Sequence, residues 1–163
     1  MKTKENLLAA FAGESQANRK YLAFAKAAEK EGKNGLAKLF RVAAEGETLH
    51  ALKHLENAGE IKGFEDNLRE AIAGETHEFT HMYPEFLAKA KEEGESVAMQ
   101  GFHFANEVEK IHEKLFAEAL AAKGDLEETE YYICSVCGYP HKKESPERCP
   151  ICGAPREKFY LFS

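Results

Sequence analysis

Two Glu-x-x-His steps constrain this chain more than any other feature: Glu47-Thr48-Leu49-His50 and Glu109-Lys110-Ile111-His112. Each lies inside a long stretch whose apolar residues recur every three or four positions. Leu36, Leu39, Phe40 and Ala43 mark the first, and Leu115, Phe116, Ala119 and Leu120 the second. That period is helical. On a helix, a three-residue step puts both ends on one face. The chain therefore sets carboxylates and imidazoles where a core should be.

Residues 1–123 read as four helices. Helix A runs from about Thr3 to Glu31 and breaks at Gly32-Lys33-Asn34-Gly35. Helix B runs from about Leu36 to Ala58. A connection over Gly59 to Glu65 leads to Asp66, the expected N-cap of helix C, which continues to about Glu93 and stops at Gly94. Helix D runs from about Ser96 to Lys123, with Gly124 just beyond it. Pro84 lies inside helix C, removes a backbone donor, and predicts a kink or a local adjustment. Four helices with this patterning fit a bundle.

Glutamates recur in the other two helices: Glu14 in helix A, and Glu75 and Glu78 in helix C. Glu-x-x-His on the second and fourth helices, with Glu on the first and third, is the ligand pattern of carboxylate-bridged di-iron bundles. Two irons bring several positive charges into a low-dielectric core. Carboxylates neutralise that charge and imidazole completes a mixed N/O site. Without metal the same acids would repel one another and hold protons. The remaining histidines, His54, His77, His81, His103 and His141, read as surface or packing residues. His77 and His81 form an i,i+4 pair that could in principle hold a surface metal.

Beyond Lys123 the composition changes. Residues 124–130 are polar and acidic and read as a linker, and residues 131–163 hold all four cysteines and four of the five prolines. Cys134-x-x-Cys137 and Cys149-x-x-Cys152 are separated by 11 residues. Two such knuckles wrap four thiolates around one tetrahedral ion. The tail is too short for much of a core, so the metal must supply much of its stability. Tyr132, Tyr139, Phe159 and Tyr160 would pack around it. Iron and zinc share this cysteine spacing, and the tail alone does not choose between them.

A net charge of −6 gives nucleic-acid binding no global support. No apolar run reaches the ~18 residues of a membrane span. Met1 to Asn6 has no apolar signal core, which points to a cytoplasmic protein whose clustered thiols bind metal.

A four-helix carboxylate bundle followed by a four-cysteine tail resembles the rubrerythrin family over essentially the whole chain. The runs Ala12-Gly13-Glu14-Ser15, Ala73-Gly74-Glu75-Thr76, Met82-Tyr83-Pro84 and Tyr131-Tyr132-Ile133-Cys134 match the family pattern, and no ligand position is missing. The resemblance implies a mainly α, ferritin-like bundle over residues 1–123 and a rubredoxin-like domain over residues 131–163. It implies that Glu14, Glu47, His50, Glu75, Glu78, Glu109 and His112 ligate two irons. Glu47 and Glu109 would bridge. Glu14 and Glu75 would each hold one iron terminally, and His112 would complete the second. Glu78 and His50 would be alternative ligands of the first. Tyr21 and Tyr83 match tyrosines beside the cluster. Cys134, Cys137, Cys149 and Cys152 would hold a third iron, with zinc a substitute.

The implied activity is reduction of hydrogen peroxide to water in oxidative-stress defence. Electrons would be relayed through the tetrathiolate iron from a rubredoxin or an NAD(P)H-dependent reductase. Competing readings are a ferritin-like ferroxidase or iron-binding protein, a di-iron oxygenase, and a zinc-ribbon interaction module on a helical scaffold. A homodimer is expected, because family members bring the tail near a partner's di-iron site. The B–C connection also bears on assembly. In a ferritin-like bundle it must span roughly 27 Å with a reach of at most about 26–29 Å. So taut a crossing favours exchange of helices A and B between two chains.

Overall fold

The computed structural model describes residues 2–162. Helix α1 covers Lys2–Lys30 and α2 covers Asn34–Asn57. The third expected helix is divided: α3 covers Phe64–His77, a π-helical turn covers Glu78–Met82, and α4 covers Tyr83–Glu93. Helix α5 covers Ser96–Ala121. Three short strands follow, β1 at Tyr131–Cys134, β2 at Pro140–Lys142 and β3 at Phe159–Phe162, in the antiparallel order β2-β1-β3.

The helices form two hairpins. Helix α1 packs along α2, and α3 and α4 pack along α5. The chain divides into two compact units after Lys62. In the first unit the α1–α2 seam is lined by alanine. Ala37, Ala44, Ala51 and Ala58 recur every seventh residue and are buried, as are Ala25 and Ala28 on α1. A seven-residue step keeps one stripe of a helix against its neighbour, and methyl side chains let the two backbones approach closely. Asn18 fastens the seam by donating from Nδ2 to the Ala44 carbonyl at 2.7 Å and to Thr48 Oγ1 at 2.8 Å.

The two hairpins repeat one another. Glu75 follows Glu14 by 61 residues, while Tyr83 follows Tyr21, Glu109 follows Glu47 and His112 follows His50 by 62. The extra residue falls in the π-helical turn. The aromatic surroundings repeat as well. Tyr21 packs with Phe24 and Phe40 at centroid distances of 6.4 and 6.2 Å, and Tyr83 with Phe86 and Phe102 at 6.2 and 6.3 Å.

Pro84 explains the local adjustment. It sits in the first turn of α4, where its missing N–H is tolerated, and the π-helical turn ends just before it. The Tyr83 N–H bonds the Glu78 carbonyl, five residues back, instead of continuing the four-residue ladder. The start of α3 differs from expectation. Gly63 occupies the N-cap and Asp66 lies in the first turn, where its charge complements the helix dipole. The second unit closes on itself at Gly124, whose φ is +77°. A Cβ there would meet the Phe64 ring at 3.1 Å, so glycine lets the end of α5 lie against the start of α3.

Candidate metal centres

Each helical unit gathers three of the expected ligands. In the first, donor atoms of Glu14, Glu47 and His50 all lie within 4.8 Å of one another. In the second, donor atoms of Glu75, Glu109 and His112 do the same. The Glu-x-x-His steps act as the sequence requires. His50 Nδ1 stands 3.3 Å from Glu47 Oε2, and His112 Nδ1 stands 2.7 Å from Glu109 Oε2 and 3.8 Å from Glu75 Oε1. Two cis ligands at ~2.1 Å from one ion are ~3.0 Å apart, so these separations suit a shared first-row metal.

The electrostatics carry the same signature. Hydrogen bonding with Glu47 holds the Glu14 carboxyl above its ordinary value, with desolvation and the Glu47 charge adding to it. His50 and His54 pull the other way. Glu75 is also raised, by burial first and then by the charge of Glu109, against the lowering pull of His112. Two carboxylates stand together in each trio, so each disfavours the other's ionisation. A divalent cation would offset this.

Glu78 and the tyrosines stand outside the two close trios. Glu78 begins the π-helical turn. Its charge, with those of Glu109 and Glu75, acts on the Tyr83 phenol, which is raised chiefly by burial and then by these three acids. Tyr83 therefore keeps its proton and is available as a hydrogen-bond donor. Tyr21 belongs to the ring cluster with Phe24 and Phe40. Two features escape the Glu-x-x-His pattern. The Asn18 bond to Thr48 locks the residue after Glu47, and the buried Nδ1 of His54 has no hydrogen-bond partner although its ring acts on Glu14.

In the tail, the four cysteine sulfurs converge. Cys134 Sγ lies 3.6 Å from Cys152 Sγ, and Cys137 Sγ lies 3.5 Å from Cys149 Sγ. A disulfide would require about 2.05 Å. A tetrahedron of sulfurs ~2.3 Å from one ion has edges of about 3.8 Å, which the arrangement approaches. The two knuckles are built alike. Gly138 and Gly153 take φ of +84° and +73° and donate to the carbonyls of Cys134 and Cys149 at 2.9 Å. Cys134 and Cys149 donate in turn to the carbonyls of Tyr139 and Ala154. Burial pushes the Cys134 thiol up, yet the backbone N–H groups of Cys137 and Val136 outweigh it and hold it low. Burial dominates at Cys137 and Cys152 and raises both.

Two helical carboxylate–histidine trios followed in the chain by a four-cysteine ribbon define a class: proteins with a di-iron centre and a rubredoxin-like metal centre. Family comparison gives the particular member. Residues 5–120 match the rubrerythrin family model, and residues 132–160 match that of the rubrerythrin rubredoxin-like domain. The chain belongs to the rubrerythrin family. It is 38% identical to rubrerythrin-2 of Clostridium acetobutylicum over 177 aligned positions, covering 98% of this chain and 96% of the relative. It is 38% identical to nigerythrin of Nitratidesulfovibrio vulgaris, covering 98% and 86%. Among solved structures, mixed-valence nigerythrin matches with a TM-score of 0.59 and 35% identity, covering 98% of this chain and 86% of that one. The family's cofactors are a di-iron carboxylate site and one metal on four cysteines. Its members serve oxidative-stress defence and are generally peroxide-reducing oxidoreductases. No described helix is long and apolar enough to cross a membrane.

Proposed function

We propose that this chain is a peroxidase that reduces hydrogen peroxide to water. Its electrons come from a rubredoxin or an NAD(P)H-dependent reductase, and the metal that Cys134, Cys137, Cys149 and Cys152 would hold supplies a one-electron relay. The observation that carries the reading is the presence of both donor sets in one chain: five glutamates and two histidines on helices, and four converging thiols behind them. A ferroxidase needs only the first set. The reaction consumes two electrons and two protons for each peroxide and yields two waters, and the paired irons, when bound, supply both electrons without releasing a hydroxyl radical.

The side chains divide the remaining work. Glu47 and Glu109 would bridge the metals, each from the same helix face as its histidine. Glu14 and Glu75 would hold one metal each, and a bound cation would offset the neighbouring carboxylate charge that raises their pKa values. His112 would complete the second metal. Glu78 and His50 would be alternative ligands of the first. Glu78 is carried by a π-helical turn, a geometry often found at functional sites. Tyr83, held protonated by burial and by the charges of Glu109, Glu78 and Glu75, would offer its one hydroxyl proton to a ligand carboxylate. Tyr21 takes the corresponding place in the first unit, beside Phe24 and Phe40. The tail's thiols must stay reduced to bind metal, which suits the cytoplasm.

We also propose that the working molecule is a homodimer in which α1–α2 of one protomer meets α3–α5 of its partner. Each unit by itself offers three closely spaced donors, fewer than an octahedral ion needs. In the first unit Leu39, Val42 and Leu49 on α2 are each more than 60% exposed, an apolar stripe suited to a partner.

The discriminating experiment is anaerobic reduction followed by oxidant, with both iron chromophores monitored. Peroxide should reoxidise the pair quickly and dioxygen slowly. The reverse preference would overturn the peroxidase reading in favour of a ferroxidase or oxidase.

A further inference from the structure

Two exposed histidines remain without a task. His77 closes α3 and His81 lies in the π-helical turn. Their rings are stacked, with centroids 5.4 Å apart and planes 13° from parallel. A four-residue step slightly overshoots one α turn and falls short of one π turn. Across a segment that is part of each, the second ring comes to lie almost over the first.

Thr80 decides the tautomer of one ring. Its hydroxyl donates its single proton to the Thr76 carbonyl at 2.5 Å. The same oxygen therefore accepts the contact from His81 Nδ1 at 2.6 Å, which places the ring proton on Nδ1. The lone pair is left on Nε2. Metal-binding histidines are arranged in this way, with one nitrogen hydrogen-bonded to an oxygen and the other free for the ion.

We propose that His77 and His81 chelate a divalent late first-row transition ion of the zinc, nickel or copper class, at a surface site separate from both metal centres. Imidazole pairs favour these ions over magnesium or calcium. Both rings are exposed, so water completes the coordination. Neither residue belongs to the Glu75, Glu109 and His112 trio. An ion held between them bridges His77 to His81 and so staples the segment that carries Glu78.

The test is calorimetric titration of zinc chloride into the iron-loaded, full-length protein, with visible spectra before and after to verify that both iron centres survive. Wild type should bind one additional zinc per chain. His77→Ala and His81→Ala should each weaken that binding at least ~10-fold, and Thr80→Val by ~10–100-fold, the usual effect of losing a ligand's orienting partner. His103→Ala removes an exposed histidine from α5 and should bind as wild type does. If either alanine variant loses helical circular dichroism, the glutamine variant replaces it. Wild-type affinity in the His77, His81 or Thr80 variant overturns the proposal, as does an equal loss in His103→Ala.

Discussion

Glu14 and Glu75 hold corresponding places in the two hairpins, and both have folded-state pKa values above the ordinary 4.5. Such a group binds its proton more tightly in the folded chain than in the unfolded one. Its stabilising contribution is complete below the unfolded value and is lost as pH rises through the folded value. The contribution of these two acids to the stability of the metal-free protein should therefore shrink as pH climbs from 4.5 through their raised values, against the opposite trend of Glu29, Glu56, Glu60 and Glu107, whose values are lowered by basic partners. The double variant Glu14→Gln, Glu75→Gln should lose less over the same interval. Thermal midpoints of the two metal-free proteins across that range check this, and parallel profiles would contradict it. Iron loading should remove the part of the pH dependence that these two acids carry, because a bound cation favours their ionised form. At this scale the sequence was informative wherever the chemistry is local: Glu47 with His50, and Glu109 with His112, share a face by helical arithmetic. It was silent on Asn18 with Thr48, on the orphaned nitrogen of His54, and on the tautomer of His81. Each of these depends on which atom another turn or helix presents.

The four long helices were legible because their apolar period and glycine stops are strong local signals, and Gly94 ends α4 in the left-handed conformation expected of it. The π-helical turn was not. Pro84 announced a disturbance, but proline loses only one donor, and several rearrangements can absorb that. The chosen one inserts a residue between Glu75 and Tyr83 relative to Glu14 and Tyr21, and so gives the second hairpin a place for Glu78 that the first lacks. The start of α3 was misjudged because Asp66 suits an N-cap and a first turn equally well. The ribbon is governed by a different term. Among its described residues only Cys134 and Cys149 are fully buried. The Tyr139–Phe159 pair, 6.5 Å between ring centres, is a small addition. Its folding free energy must come from metal binding. Cys149→Ala should therefore release the tail's metal and bring the β1–β2–β3 amides to solvent-like hydrogen exchange, while protection in α1–α5 is unchanged. Persistent protection in the ribbon would show that the strands hold without the ion.

At the scale of the molecule, the repeat of the two hairpins poses the question of which chain completes which site. Each unit brings its own carboxylate–histidine trio, so on the proposed ligand assignment a defect in one unit can be complemented only by an intact copy of that unit facing the right partner. Consider one variant with Glu47→Ala and His50→Ala, and a second with Glu109→Ala and His112→Ala. Each alone damages every site, whether or not helices are exchanged. Co-expressed, the two assort into like and unlike dimers. Without exchange, every site still pairs a sound unit with a damaged unit of the same chain, and activity stays absent. With exchange, an unlike dimer puts both damaged units into one site and both sound units into the other. Random assortment then restores about a quarter of wild-type sites. Peroxide-driven reoxidation and di-iron content should recover together to that level in the mixture and in neither parent. Recovery of neither would leave the hairpins to be completed within one chain. The sequence hinted at this arrangement through the short connection between α2 and α3. Chain length can disfavour a crossing but cannot name the partner, because the two hairpins present the same faces wherever they come from.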